Sequence, residues 1–218
     1  MPANGFPTDF ELVQAAAACY PAYGGGGTPF FQPAGFTDRL FRSPCPSLPG
    51  LTIFAVEGTA SPAGWLGDFL ALGADAQETA NHPSLGFVHA DFYVAAQRLL
   101  EPIVEAAKAG PIALAGHSRG AALAAMLAGL LIDSGQIPVK VGLFAPPRVG
   151  AQRLLDALSP VPVVAYRFGN DPVTEVPLTL PDFPYAQFPL IEIGTPCLIS
   201  VACHHITNYV SGVATARG

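Results

Sequence analysis

Basic residues are scarce in this chain. Its 218 residues include ten Lys and Arg against sixteen Asp and Glu, for a formal net charge of −6. The positive charges form no run or stripe that would neutralise a phosphate backbone, which argues against nucleic acid as a partner. Long apolar runs are missing too. The longest, Ala121 to Ile132, is too short to cross a bilayer, so no transmembrane segment is expected. The opening MPANGFPTDFELVQ has neither a basic n-region nor an apolar h-region, so it does not read as a signal peptide, and the compartment stays open. Cysteine is sparse. Cys19, Cys45, Cys197 and Cys203 lack the C-x-x-C spacing of a structural zinc site. Cys197 and Cys203 are close enough to bridge, but spacing alone does not decide whether they do.

What is abundant points to a packed, turn-rich domain. Half of the residues are apolar and 12% are charged, which excludes wholesale disorder. The 23 Gly and 23 Pro follow no period, so they imply tight turns and not a fibrous repeat. No linker is long enough to divide the chain. One domain over residues 1–218 is expected. Residues 1–50 would supply an N-terminal helix (about 8–18) and a Gly/Pro-rich lead-in, and residues 51–210 the core.

Within that core, strand-like and helix-like segments alternate. LTIFAV (51–56), PIALAG (111–116), VKVGLFAPP (139–147), VPVVAYRFGN (161–170) and LIEIG (190–194) read as strands. Residues 86–110 read as a long helix, with Phe92, Ala95, Ala96, Leu99, Ile103 and Ala106 at three- and four-residue steps and Pro102 expected to bend or split it. Residues 118–135, 151–159 and 205–217 read as further helices. This alternation predicts an α/β fold with a mostly parallel central sheet flanked by helices on both faces. In such sheets, reactive groups collect where strands end at their carboxyl side. Three predicted strand ends carry reactive polar residues: Gly58-Thr59, His117-Ser118 and Asn170-Asp171.

Gly116-His117-Ser118-Arg119-Gly120 fits G-x-S-x-G between a predicted strand and a predicted helix, the context that a nucleophile elbow requires. Serine must stand on a sharp turn to project its hydroxyl, and such a turn brings backbones so close that glycine is needed beside it. The alternative is a glycine-rich strand-to-helix turn without chemistry. A serine hydroxyl needs a base, and the base needs an orienting acid. After Ser118 the histidines are His204 and His205, adjacent at the start of the last helix. Among the acids, Asp171 follows a late strand. Asp182 lies in a proline-bounded loop and is the alternative, while Asp156 belongs to a solvated helix face. Asn-Asp-Pro is also plain turn chemistry. Developing negative charge on a substrate needs N–H donors. The backbone of Arg119 is one candidate, and Thr59, after the close turn that Gly58 permits, is the other.

Together these stretches resemble the class 3 lipases, the family of the fungal triacylglycerol lipases and their bacterial and plant relatives. EGTASPAGWLGDF is similar to the family's oxyanion segment, GFVHADFY to its G-x-V-H-x-G-F helix start, and GHSRGAALA to its elbow. FAPPRVG, NDPVTEVP and HHITNY are similar to its F-x-x-P-R-V-G strand end, its acid segment and the start of its last helix. The order matches, from about residue 51 to 210. The resemblance implies an α/β-hydrolase acting on small-molecule or lipid esters without metal or cofactor, with possible transient contact at a lipid surface. It implies Ser118 as nucleophile, Asp171 as acid and His204 as base, selected over His205 by its five-residue spacing to Tyr209. It also implies Thr59 and Arg119 as oxyanion donors, with His89 and His117 in structural positions.

The chain departs from the family pattern in three places. Asp91 stands where glycine is usual. Glu57 precedes the Gly-Thr where a basic or polar residue is usual, and the sequence offers no account of it. Residues 62–85 must supply both a strand and any lid, which favours an esterase or a modestly lidded lipase. The same triad would also serve a phospholipase A1, a feruloyl or polyester esterase, or an acyltransferase. A catalytically inactive binding module on this fold is the alternative from another class.

Overall fold

The computed structural model describes residues 5–21, 28–58, 79–179, 181–182, 184–198 and 200–216. Its centre is a six-stranded sheet in the order β1-β2-β5-β6-β7-β8. These strands are β1 (Leu40–Pro44), β2 (Thr52–Val56), β5 (Ile112–His117), β6 (Val141–Phe144), β7 (Val163–Phe168) and β8 (Leu190–Ile193). β1 runs antiparallel to β2, and every other pairing is parallel. A separate antiparallel hairpin joins β3 (Thr79–His82) to β4 (Gly86–His89). Among the described residues the α-helices are α1 (Asp9–Ala17), α2 (Ala90–Ala109), α3 (Arg119–Asp133), α4 (Gln152–Ala157) and α5 (Ile206–Thr215).

The strand residues show why both faces are covered. Along β2 and β5, Phe54, Val56, Ile112 and Leu114 enter one core with α2, α3 and α4. The alternate residues Ile53, Ala55, Ala113 and Ala115 enter a second core with α1 and α5. Period-two alternation sends neighbours to opposite faces, and here both sets are apolar because both faces are roofed. α3 is buried almost all round, as its alanine-rich sequence predicts.

Some elements differ from the sequence reading. Gly86–His89 is a strand, so the long helix starts at Ala90. Gly86 takes φ +70°, a turn conformation that opens the strand and that a helix start does not offer. Pro102 lies inside one continuous helix and does not split it. The strand read over 139–147 is shorter, because Ala145 takes φ +53° and two prolines follow it. β1 falls in the stretch read as lead-in. Cys197 and Cys203 form a disulfide, while Cys19 and Cys45 are buried free thiols. Among the described residues no helix is long and apolar enough to cross a membrane.

Candidate active site

The site forms at the carboxyl ends of neighbouring strands, and the register sets its level. Val56 pairs with Gly116, His117 with Phe144, and Phe144 with Tyr166, so the loops beyond β2, β5 and β7 leave the sheet together. Ser118 follows β5 directly at φ 59°, ψ −132°. That backbone is unfavourable for a side chain other than glycine and costs on the order of 1–3 kcal/mol. Its surroundings hold it there. The Ser118 N–H donates to Phe144 O at 2.9 Å, and Ser118 O accepts the N–H of Ala121 at 2.9 Å as α3 begins. The flanking glycines are required by space. A Cβ on Gly116 would stand 2.2 Å from Gly120 O, and one on Gly120 would stand 2.2 Å from Val56 O.

His204 ends a 3-10 turn over Ser200–His204, just before α5. Its Nε2 lies 2.8 Å from Ser118 Oγ and its Nδ1 lies 2.8 Å from Asp171 Oδ2. Ser118, Asp171 and His204 are all essentially inaccessible to solvent. A carboxylate accepts only, so Nδ1–H donates to Asp171, which leaves Nε2 to accept the Ser118 hydroxyl hydrogen. Asp171 is itself held. Its Oδ1 accepts the Val173 N–H at 3.0 Å, and its Oδ2 accepts the Tyr209 hydroxyl at 2.6 Å. Tyr209 Oη accepts the Phe168 N–H at 3.1 Å, so its own hydrogen is directed to Asp171. Burial, and then the Asp171 charge, push the Tyr209 phenol well above its usual range and keep it a donor.

The loops carrying Asp171 and His204 are tied to each other. The Asn170 amide accepts the Cys197 N–H at 2.8 Å and donates to Cys197 O at 3.3 Å, and Cys197 is bridged to Cys203, the residue before His204. Arg148, in the FAPPRVG stretch, holds the segment after Asp171 by donating to the carbonyls of Glu175 and Pro177 and to the Glu175 carboxylate.

His117 links this arrangement to the other side of Ser118. Its Nε2–H donates to His204 O at 2.9 Å, and its Nδ1 lies 3.1 Å from Tyr20 Oη. Tyr20 Oη accepts the Gly58 N–H at 3.2 Å, so its hydrogen is available to His117. Complete burial, reinforced by the neighbouring His204, keeps the His117 pKa well below the usual imidazole value. It is therefore a neutral structural relay.

His205 is exposed at the N-cap of α5 and makes no side-chain capping bond. Asp182 and Asp156 are exposed, and Asp156 accepts from Gln152. His89 is buried at the start of α2 and stacks on Phe92 at 4.4 Å. Arg119 heads α3, and its guanidinium pairs with Asp38. Thr59 lies outside the described residues. Glu57 gains a partner that the sequence did not reveal, a forked ion pair with Arg39. Sequence reasoning also missed Tyr20 and the bond from Tyr209 to Asp171. The His-x-x-x-x-Tyr spacing carried the second signal. Among the described residues no group of three or more His, Cys, Asp or Glu stands where it would hold a metal ion.

Residues 53–180 match the family model described as Lipase (class 3). No curated protein sequence matches the chain. Several solved structures share its fold. Mono- and diacylglycerol lipase from Aspergillus oryzae is 19% identical at a TM-score of 0.67, covering 88% of this chain and 81% of that one. A variant of the MDLA protein from Penicillium cyclopium is 21% identical at a TM-score of 0.67, covering 87% and 80%. The triacylglyceride lipase of Rhizomucor miehei is 15% identical at a TM-score of 0.65, covering 85% and 77%.

Proposed function

Because the chain belongs to the class 3 lipases, a family of carboxylic ester hydrolases, we propose that it cleaves acyl esters through an acyl-enzyme on Ser118. His204 Nε2 takes the hydroxyl proton as Ser118 Oγ attacks the ester carbonyl carbon. The imidazolium that forms is stabilised by Asp171 across Nδ1–H. The carbonyl oxygen becomes an oxyanion, which the backbone N–H of Arg119 and the Thr59 segment receive. Collapse breaks the bond to the alkoxide, and His204 returns its proton to that leaving oxygen. Water, activated by the same nitrogen, then releases the acid and restores Ser118. The observation that carries this reading is the unbroken buried chain Ser118–His204–Asp171–Tyr209, in which each hydrogen has one direction to go.

The substrate side of the proposal is an esterase or a short-lidded lipase. β3 takes Thr79–His82, so any flap must fit between Gly58 and Thr79. A fluorophosphonate probe tests the chemistry, with the label expected on Ser118 by peptide mass spectrometry. A series of p-nitrophenyl esters of rising acyl length, with and without emulsion, tests the substrate. A rate that jumps only above the solubility limit would overturn the short-lid reading. An unlabelled Ser118 would overturn the mechanism.

A further inference from the structure

Two ion pairs cross beside the elbow, and one dipeptide supplies half of each. Asp38 and Arg39 immediately precede β1. The Asp38 carboxylate accepts from the Arg119 guanidinium. Arg39 donates through Nε and Nη2 to both oxygens of Glu57. The two carboxylates are buried, each with 5% of the side chain exposed, whereas the Arg119 and Arg39 side chains keep 22% and 29%. The backbone adds a further tie, since the Glu57 N–H donates to Arg39 O at 3.0 Å. The grip therefore spans the end of β2 and the start of α3. These two segments also press directly on one another, for a Cβ on Gly120 would stand 3.0 Å from Gly58 N.

The pattern of signs fixes register. The order Asp38-Arg39 faces Arg119 and Glu57, so a slip of one residue would set Asp38 against Glu57 in one direction or Arg39 against Arg119 in the other. Like charges facing one another disfavour the slipped arrangement. Buried carboxylates also cannot let go without leaving an uncompensated charge, which is costly. The two strapped residues are Arg119, whose backbone N–H the mechanism uses, and Glu57, two positions before Thr59. We infer that Asp38 and Arg39 are positioning residues for the oxyanion side, fixing the distance between the Arg119 N–H and the backbone at Gly58. This rests on the proposed function, and it accounts for the acidic residue at position 57.

The test measures turnover per competent site. Parent and variants are titrated with a fluorophosphonate, and kcat and KM for p-nitrophenyl butyrate are expressed per titrated Ser118, with Tm recorded alongside. Asp38→Asn is expected to lower kcat by about tenfold to a hundredfold, the scale of a small misplacement of a reacting group, with KM little changed. The double variant Asp38→Asn/Arg119→Gln leaves no orphaned charge, so it relieves a purely structural defect. It is expected to remain slow, because the strap is gone. Arg39→Glu is also expected to be slow, and Arg39→Glu/Glu57→Arg to recover to within about threefold of the parent by restoring the pair with signs exchanged. Variants that lose Tm or active fraction but keep the parental kcat per site would overturn the proposal. So would a double neutral variant with full kcat, or a swap that fails to recover. A parent that takes no label overturns the functional reading instead, and the positioning role with it.

Discussion

Ser118 stands between two flanks held by different physics. On the acid–base flank, Asp171, His204 and Tyr209 are sealed from water and joined by short hydrogen bonds whose donors and acceptors are each assigned. On the flank proposed to receive the oxyanion, the contacts are ion pairs whose guanidinium ends remain partly wet. A buried hydrogen-bond chain is insensitive to salt and fails when one polar atom is removed. Partly wet ion pairs feel ionic strength and tolerate exchange of partners as long as signs match. In the proposed mechanism, the half that moves protons is therefore fixed atom by atom, while the half that receives charge is fixed by charge placement. His117 joins the two, bonded to His204 O on one side and through Tyr20 to Gly58 on the other.

The hardest break is at the shared residue. Ser118→Ala removes the proposed nucleophile and is expected to cost on the order of a millionfold in turnover. Far-UV circular dichroism should stay unchanged. A rate within tenfold of the parent would show that Ser118 Oγ is not the reacting atom.

Next comes the acid–base flank alone. Asp171→Asn keeps the shape but reverses the hydrogen-bonding sense at His204 Nδ1. About a ten-thousandfold loss of kcat is expected, with Asp182→Asn at the parental rate because Asp182 is exposed. Tyr209→Phe is milder. It removes one donor to Asp171 and strands the Phe168 N–H. About 1.5–3 kcal/mol of stability should be lost with the charge-assisted bond, and kcat should fall by less than it does in Asp171→Asn. Equal losses in the two variants would show that Tyr209, not the carboxylate, governs the base.

The link between the flanks gives a pH prediction. The folded pKa of His117 lies well below its unfolded value, chiefly through burial. Below about pH 6.5 the unfolded chain binds a proton there that the folded chain refuses, so stability falls with falling pH. The slope from this residue approaches about 1.4 kcal/mol per pH unit and persists down to the folded pKa. Denaturant midpoints between pH 7 and 5 would measure it, and His117→Gln should flatten the curve. An unchanged slope in that variant would assign the loss to other groups.

The two flanks were not equally legible in the sequence. Local pattern exposes the acid–base flank, because the elbow glycines, the turn after β7 and the spacing from His204 to Tyr209 are short-range requirements of geometry. The oxyanion flank depends on partners far apart in the chain. Arg39 and Glu57, and Asp38 and Arg119, meet only once β1 has paired at the sheet edge. β1 itself, LFRSP, is short, mixes apolar and polar residues on both faces and is set among glycines and prolines, so no periodicity marks it. Gly86–His89 read as helix because its apolar residues continue the spacing of α2. Only their pairing with Thr79–His82 makes them a strand. Spacing also left the Cys197–Cys203 bridge undecided, since it depends on how the loop after β8 folds back to Asn170.

The smallest expected effect tests the finest distinction on the acid–base flank, between adjacent histidines. His204 points inward, with both ring nitrogens engaged and the side chain buried. His205 is exposed, with φ −66° and ψ 130° at the N-cap of α5, and its ring bonds no backbone N–H of the helix. His204 closes the 3-10 turn and His205 takes the extended N-cap that follows, so the two rings leave the chain in different directions, one buried against Ser118 and the other in solvent. His205→Ala therefore removes no cap and no contact with the site. Stability should stay within about 0.5 kcal/mol of the parent, the usual range for surface changes. The kcat per titrated site should be unchanged within error, while His204→Ala falls to the level of Ser118→Ala. If His205→Ala were the inactive variant and His204→Ala the active one, the base would move one residue along. Asp171 and Tyr209 would then lose the partner that their hydrogen bonds serve.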